Sequence, residues 1–146
     1  MSTYDPIANG WRALPGAAMP GDLGVPWAKR LDGQWFYGLL TDSRHANPNG
    51  VVHGGVLMAF ADHGLSLLAW EAAERANCTT IQLNTHFLDA IKPGEFIELR
   101  SEVTRRTRGL VFVRGIIVAH ADGTYTGENI REVGAIDGIW RVLRPR

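Results

Sequence analysis

The sequence predicts an α+β domain in which one long apolar helix is wrapped by a curved antiparallel sheet of five or six strands. Three observations predict it. The segment from Gly54 to Asn77 is apolar nearly all round for four turns and turns charged only at Glu71, Glu74 and Arg75, so other elements must enclose it. Several later stretches alternate apolar and polar residues with the period of a strand. They are linked by short turn signals, which join antiparallel strands rather than parallel ones.

In chain order, residues 1–26 hold Pro6, Pro15, Pro20 and Pro26 among Gly10, Gly16, Gly21 and Gly24, which leaves no room for a long regular element. Trp11 within this arm and Trp27 just beyond it point to an arm packed on the domain, as a strap over core or as a lid over a ligand. Residues 27–146 then form a single domain. Trp27 to Leu31 and Gln34 to Thr41 read as a hairpin around Asp32-Gly33, whose two turn positions favour positive φ. A polar loop, Asp42 to Gly50, leads to the helix. Thr80 to Leu88 places Ile81, Leu83, Thr85 and Phe87 on one face and Gln82, Asn84 and His86 on the other. Lys92-Pro93-Gly94 turns the chain into a strand carrying Ile97, Leu99, Ser101 and Val103. Leu110 to His120 and Ala135 to Leu143 complete the set, with a tight turn at Asp122-Gly123 and an inserted loop around Gly127 to Glu132.

The chain has 146 residues, 45% of them hydrophobic, and no formal net charge. A chain of that length buries roughly 68–70% of the surface its unfolded form exposes, enough for one core without metal or disulfide staples. Neutrality removes the field that would draw in nucleic acid or an anionic membrane, and it does little to oppose self-association. Cys78 has no second cysteine to pair with, and the Met-Ser-Thr-Tyr-Asp-Pro start lacks the features of a signal peptide, so the expectation is a cytoplasmic protein. The apolar run Val56 to Trp70 is too short to span a bilayer and carries Asp62 and His63.

Chemically capable residues concentrate in His45 to Gly55 and in the helix that follows, at Asp62, His63 and Ser66. Gly54-Gly55 at a helix entry lets backbone N–H groups approach a ligand without Cβ obstruction, with the partial positive charge of the helix N-terminus behind them. Asp62 sits two turns along an otherwise apolar helix, where a carboxylate is seldom placed without a partner, and is a candidate base or nucleophile. Plainer readings stand beside these: the glycines serve close helix–sheet packing, and Asp62 bonds a nearby loop backbone. His45, His86 and His120 lack metal-ligand spacing and clustered carboxylates, so no metal is expected.

The pattern Asn47-Pro48-x-Gly50-x-x-His53-Gly54-Gly55, then Asp62, then Thr80-Ile-Gln-Leu-Asn-Thr-His-Phe-Leu and Lys92-Pro93-Gly94-Glu95, resembles the hotdog-fold acyl-CoA thioesterases of the phenylacetate-pathway and human thioesterase-superfamily-member-2 type. The resemblance covers most of the chain. It implies a long central helix wrapped by a curved sheet, and a homodimer or dimer of dimers with sheets joined edge to edge. It implies hydrolysis of an aryl- or medium- to long-chain acyl-CoA to the free acid and coenzyme A, with no cofactor beyond the coenzyme A of substrate and product. On that likeness, Asp62 acts as general base or nucleophile while Asn47 and His53 approach from the other subunit. The Gly54 N–H, with Gly55, holds the thioester carbonyl oxygen; Asn47 orients the water; and Thr80 is a small hydroxyl residue near it. Ser66, one turn from Asp62 on the same face, would line the site. Arg105, Arg106 and Arg108 at a strand connection either receive coenzyme A phosphates or form a solvated hairpin tip. Two rival functions remain open: a hydratase or dehydratase acting on enoyl or hydroxyacyl thioesters, and a non-catalytic acyl-CoA-binding module.

Overall fold

The computed structural model describes residues 4–120 and 130–144. Its sheet contains β1 (Arg12–Ala13), β2 (Trp27–Leu31), β3 (Gln34–Leu40), β4 (Cys78–Phe87), β5 (Phe96–Arg106), β6 (Leu110–His120) and β7 (Ile130–Val142), and its one long helix is α1 (Gly54–Ala72). The strand order is β1-β2-β3-β5-β6-β7-β4, every neighbouring pair antiparallel. Among the described residues the sheet therefore has seven strands rather than five or six. The addition is β1, a two-residue pairing of Arg12 with Ala28 and Ala13 with Trp27 that carries no sequence period of its own.

The β2–β3 turn forms as expected, with Asp32 and Gly33 both at positive φ, 51° and 77°. The expected loop around Gly127 to Glu132 is corrected in part: Ile130 to Glu132 are the first residues of β7, paired with β6, while the Asp122-Gly123 turn lies outside the described residues. The helix is shorter than its apolar run suggests. It stops at Ala72 because Glu74 and Arg75 enter the left-handed region at φ 55° and 66°, where Arg75 N–H bonds Trp70 O at 2.8 Å and Glu74 N–H bonds Glu71 O at 3.2 Å. That pairing closes the helix carbonyls in the manner usually supplied by glycine.

One stripe of α1, Leu57, Phe60, Ala61, Leu65 and Ala69, is buried against Leu99, Val113, Ile117 and Trp140 of the sheet. A fully buried Phe or Leu contributes about 1.5–3 kcal/mol. The closest approach is at Gly64, where an added Cβ would lie 2.6 Å from the Leu99 side chain. Trp140, wholly buried in β7, donates its indole N–H to Ser66 Oγ at 2.8 Å and so ties the helix to the sheet by a polar contact inside the core. The rest of α1 is less covered, and Met58 is 39% exposed. Strand β4 forms one edge of the sheet, and Ile81, Phe87 and Leu88 there are each more than half exposed.

Two consequences can be measured. Glu74→Gly removes the left-handed cost of an L side chain at the helix end, and after allowing for glycine's added chain entropy it should stabilise by about 0.5–1 kcal/mol, a rise of about 2 °C in Tm by thermal denaturation. Ser66→Ala leaves the buried Trp140 N–H without an acceptor and should cost about 1–3 kcal/mol in urea unfolding.

Candidate active site

The approach to α1 is a loop held by its own side chains. Asp42 accepts the Arg44 N–H at 2.9 Å and pairs with its guanidinium at 2.8 Å, and that side-chain hydrogen bond holds the carboxyl down to about 2. His45 is buried: its Nδ1 accepts the Asp42 N–H at 3.0 Å and its Nε2–H donates to Leu23 O at 2.9 Å. Asn47 Oδ1 accepts the N–H groups of Asn49 and Val51 at 2.9 and 3.3 Å, and the Asn47 carbonyl accepts Gly50 N–H at 2.9 Å. The Asn47 oxygen is thus spent on closing the loop. Its amide nitrogen is the end left to act on anything else.

His53 is the N-cap of α1, with φ −62° and ψ 134°. Its Nδ1 accepts Gly55 N–H at 2.8 Å, which requires an unprotonated Nδ1 and leaves the neutral ring with its proton on Nε2. His53 O accepts the N–H groups of Val56 and Leu57 at 2.9 and 3.2 Å. The helix entry has donors that no preceding turn can satisfy. Gly55, Val56 and Leu57 find acceptors in His53, so among the described residues the Gly54 N–H is the one left without an acceptor. The Gly55 N–H, which the resemblance pairs with Gly54 at the carbonyl oxygen, donates to His53 Nδ1 here. Gly54 also faces Phe87 of β4: a Cβ added there would sit 3.3 Å from the ring.

Asp62 is half-buried and accepts a 2.6 Å hydrogen bond from Thr80 Oγ1. Simple alternation along β4 would turn Thr80 to the same face as Gln82, away from the helix. A register shift between Thr80 and Gln82, opposite Trp140 and Ile139 of β7, inserts Ile81 as an extra residue and swings Thr80 onto the helix-facing side. Ser66 lies one turn beyond Asp62, with its hydroxyl engaged by Trp140. His63 points elsewhere, its Nε2–H donating to Ala17 O of the arm at 2.6 Å.

The structure therefore gathers the expected residues into two groups. Asn47, His53, Gly54 and Gly55 stand at the helix entry, and Asp62, Thr80 and Ser66 stand further along. At a rise of 1.5 Å per residue, Gly54 and Asp62 are about 12 Å apart along one rigid helix. A single chain does not place both on one reacting carbon.

The arginines are also rearranged. Arg105 and Arg106 are the last residues of β5 rather than part of the turn. Arg106 donates to Ala72 O at 3.1 Å, closing the C-terminus of α1, and also to Thr107 O. Arg108 instead lines a surface cavity of about 550 Å³ together with Arg141 and Arg144, two residues the sequence reading did not single out. Only the register of β7 brings them there: Arg141 pairs with Thr79, next to Thr80. Among the described residues no three His, Cys, Asp or Glu side chains gather as a metal site, and no helix is long and apolar enough to cross a membrane.

Comparison with known proteins gives the family and the fold. The model of the Thioesterase superfamily matches residues 49–125, which includes the helix entry, Asp62 and Thr80. A Pseudomonas aeruginosa protein provisionally named an esterase, PA0474, is 27% identical over 113 residues, 71% of this chain and 84% of the relative. The BH2602 protein of Bacillus halodurans, crystallised with CoA, superposes with a TM-score of 0.67 at 21% identity, over 82% of this chain and 74% of that one. Zebrafish thioesterase superfamily member 2 superposes with a TM-score of 0.68 at 18% identity, over 81% of each chain. The last two likenesses are of fold. With the family model spanning more than half of its length, the chain belongs to the Thioesterase superfamily and is a thioester hydrolase built on the hotdog fold.

Proposed function

We propose that the protein hydrolyses acyl-CoA thioesters, of aryl or medium- to long-chain acids, at a site shared between two copies of the chain. The observation that carries the proposal is the pairing, on one helix, of an N-terminal N–H without an acceptor at Gly54 and a carboxylate oriented by Thr80 at Asp62. A thioester is already activated, so hydrolysis needs a positioned water, a base and a donor for the developing oxyanion.

In this reading Asp62 of one subunit takes a proton from the attacking water, or itself attacks the carbonyl carbon. The Gly54 N–H of the other subunit, at the positive end of its helix, receives the carbonyl oxygen as it gains charge. Collapse of the tetrahedral intermediate re-forms the carbonyl and expels the thiolate of coenzyme A; attack by water leaves the free acid directly, whereas attack by Asp62 leaves an anhydride on its carboxyl that a water then hydrolyses to the free acid. Asn47, through its amide nitrogen, and His53, through Nε2–H, supply donors beside Gly54. Thr80 positions Asp62, and no cofactor enters. That the partner of Asp62 is a hydroxyl rather than a second acid or base supports hydrolysis over hydration of an enoyl thioester.

The exposed edge of β4, with Ile81, Phe87 and Leu88 beside Met58 of α1, supports the two-copy arrangement. Edge strands are natural pairing surfaces, and antiparallel pairing of two β4 edges would bring the helix entry of one copy toward the middle of the other's helix. The Bacillus halodurans relative held CoA in its crystal, which supports coenzyme A as the carrier. The Arg108, Arg141 and Arg144 cluster offers cations for its phosphates.

Thiol release from a panel of benzoyl-, phenylacetyl-, hexanoyl- and palmitoyl-CoA tests the proposal. Asp62→Asn should lower kcat by about 100–10,000-fold on whichever substrate is turned over, and wild-type turnover in that variant would refute the role given to Asp62. Thr80→Val should lower kcat with KM little changed, while Thr80→Ser restores it. An equal loss in both Thr80 variants would remove the hydroxyl from the mechanism.

A further inference from the structure

The N-terminal arm crosses α1 beyond the His63–Ala17 contact, and between arm, sheet and helix it leaves a cleft of about 460 Å³. Leu14 and Ala17 of the arm, Trp35 and Tyr37 of β3, and Leu67 and Trp70 of α1 line it. This is a different place from the Asp62–Thr80 pair. Strand β3 and strand β4 are separated by β5, β6 and β7, on the order of 19 Å across the sheet at the usual strand spacing. Leu67 lies about 140° round the helix from Asp62.

The cleft carries its own polar groups. Tyr37 is 4% exposed as a residue and lines the cleft, and its hydroxyl oxygen, which bonds none of the described residues, is not enclosed but opens onto the cleft. Burial, and then the Glu71 carboxylate, push the phenol's pKa upward, so the group stays a donor. At the rim, Arg75 stacks over the Trp70 ring with 5.1 Å to its centroid and pairs with Glu71 at 3.4 Å. Arg12, also lining the cleft, meets no acceptor among the described residues. Two arginines and one carboxylate thus line the cleft. Aromatic walls, a phenolic donor inside and a spare guanidinium at the mouth are complementary to a flat ring bearing an anionic oxygen group, and the volume suits a small ligand.

We propose that this cleft is a second binding site, for a small aromatic carboxylate whose ring lies among Trp35, Leu67 and Trp70 and whose carboxylate accepts from Tyr37 and Arg12. The test is isothermal titration of the full-length protein with 2-naphthoate, and with 2-naphthamide as its neutral counterpart. Saturable binding of the carboxylate is expected, about tenfold or more weaker in Arg12→Gln and for the amide, several-fold weaker in Tyr37→Phe, and unchanged in Asp62→Asn. Arg12 is exposed and Phe keeps the volume of Tyr37, so both variants should retain the wild-type Tm and report on the ligand. No saturable binding at millimolar ligand would overturn the proposal. So would binding that is lost in Asp62→Asn and kept in Arg12→Gln, since that assigns the ligand to the Asp62 site.

Discussion

The stiffness of α1 is the constraint on which the rest depends. A helix of this length cannot fold back on itself, so the entry donor at Gly54 and the carboxylate at Asp62 are held about 12 Å apart whatever the surrounding side chains do. Everything that keeps α1 straight and in register with the sheet also keeps that separation: the apolar stripe from Leu57 to Ala69, the close approach at Gly64, and the left-handed stop at Glu74. On the proposed roles, neither half alone is a complete catalyst for thioester hydrolysis. In the proposed mechanism association of two chains is part of the chemistry rather than an addition to it, and a chain with no formal net charge and an exposed apolar edge strand is suited to it.

The polar residues of α1 divide the surroundings among themselves. Asp62 turns to Thr80 of β4, His63 to Ala17 of the arm, Ser66 to Trp140 of β7 and Glu71 to Arg75 beyond the helix end. Asp62, His63 and Ser66 are each matched by a partner from a different part of the chain, so the helix is fixed in rotation as well as in depth. A rotation that improved one contact would break another.

Much of this was legible in the sequence because it rests on local chemistry. Asp32-Gly33 announces a turn through the positive φ both residues adopt, and Gly54-Gly55 after His53 announces a helix entry. What was hidden rests on register and tertiary contact. Nothing in Thr80-Ile81-Gln82 marks Ile81 as the extra residue of a bulge, yet that residue decides whether Thr80 faces Asp62. The helix end was misjudged because Glu74 and Arg75 look helical by composition while adopting the left-handed conformation. Arg106 looked like a cation for a ligand and is occupied by a helix carbonyl. The arginines that do gather with Arg108 come from the end of β7 and the residues just beyond it, more than thirty positions further along. That the Gly55 N–H is engaged while the Gly54 N–H is not depends on His53 Nδ1 accepting the Gly55 hydrogen bond, which no pattern of residue types encodes.

The bipartite site is tested most directly by complementation. Gly54→Pro deletes the free N–H at the first helical position, where proline is tolerated, and His53 already has the extended backbone that a following proline requires. Asp62→Asn deletes the carboxylate. Each variant alone should be nearly inactive, and co-expression of the two should restore about one quarter of wild-type thiol release, since half of randomly formed pairs are mixed and each mixed pair contains one intact site of two. Activity in the mixture no greater than in the separate variants would contradict a site shared between chains.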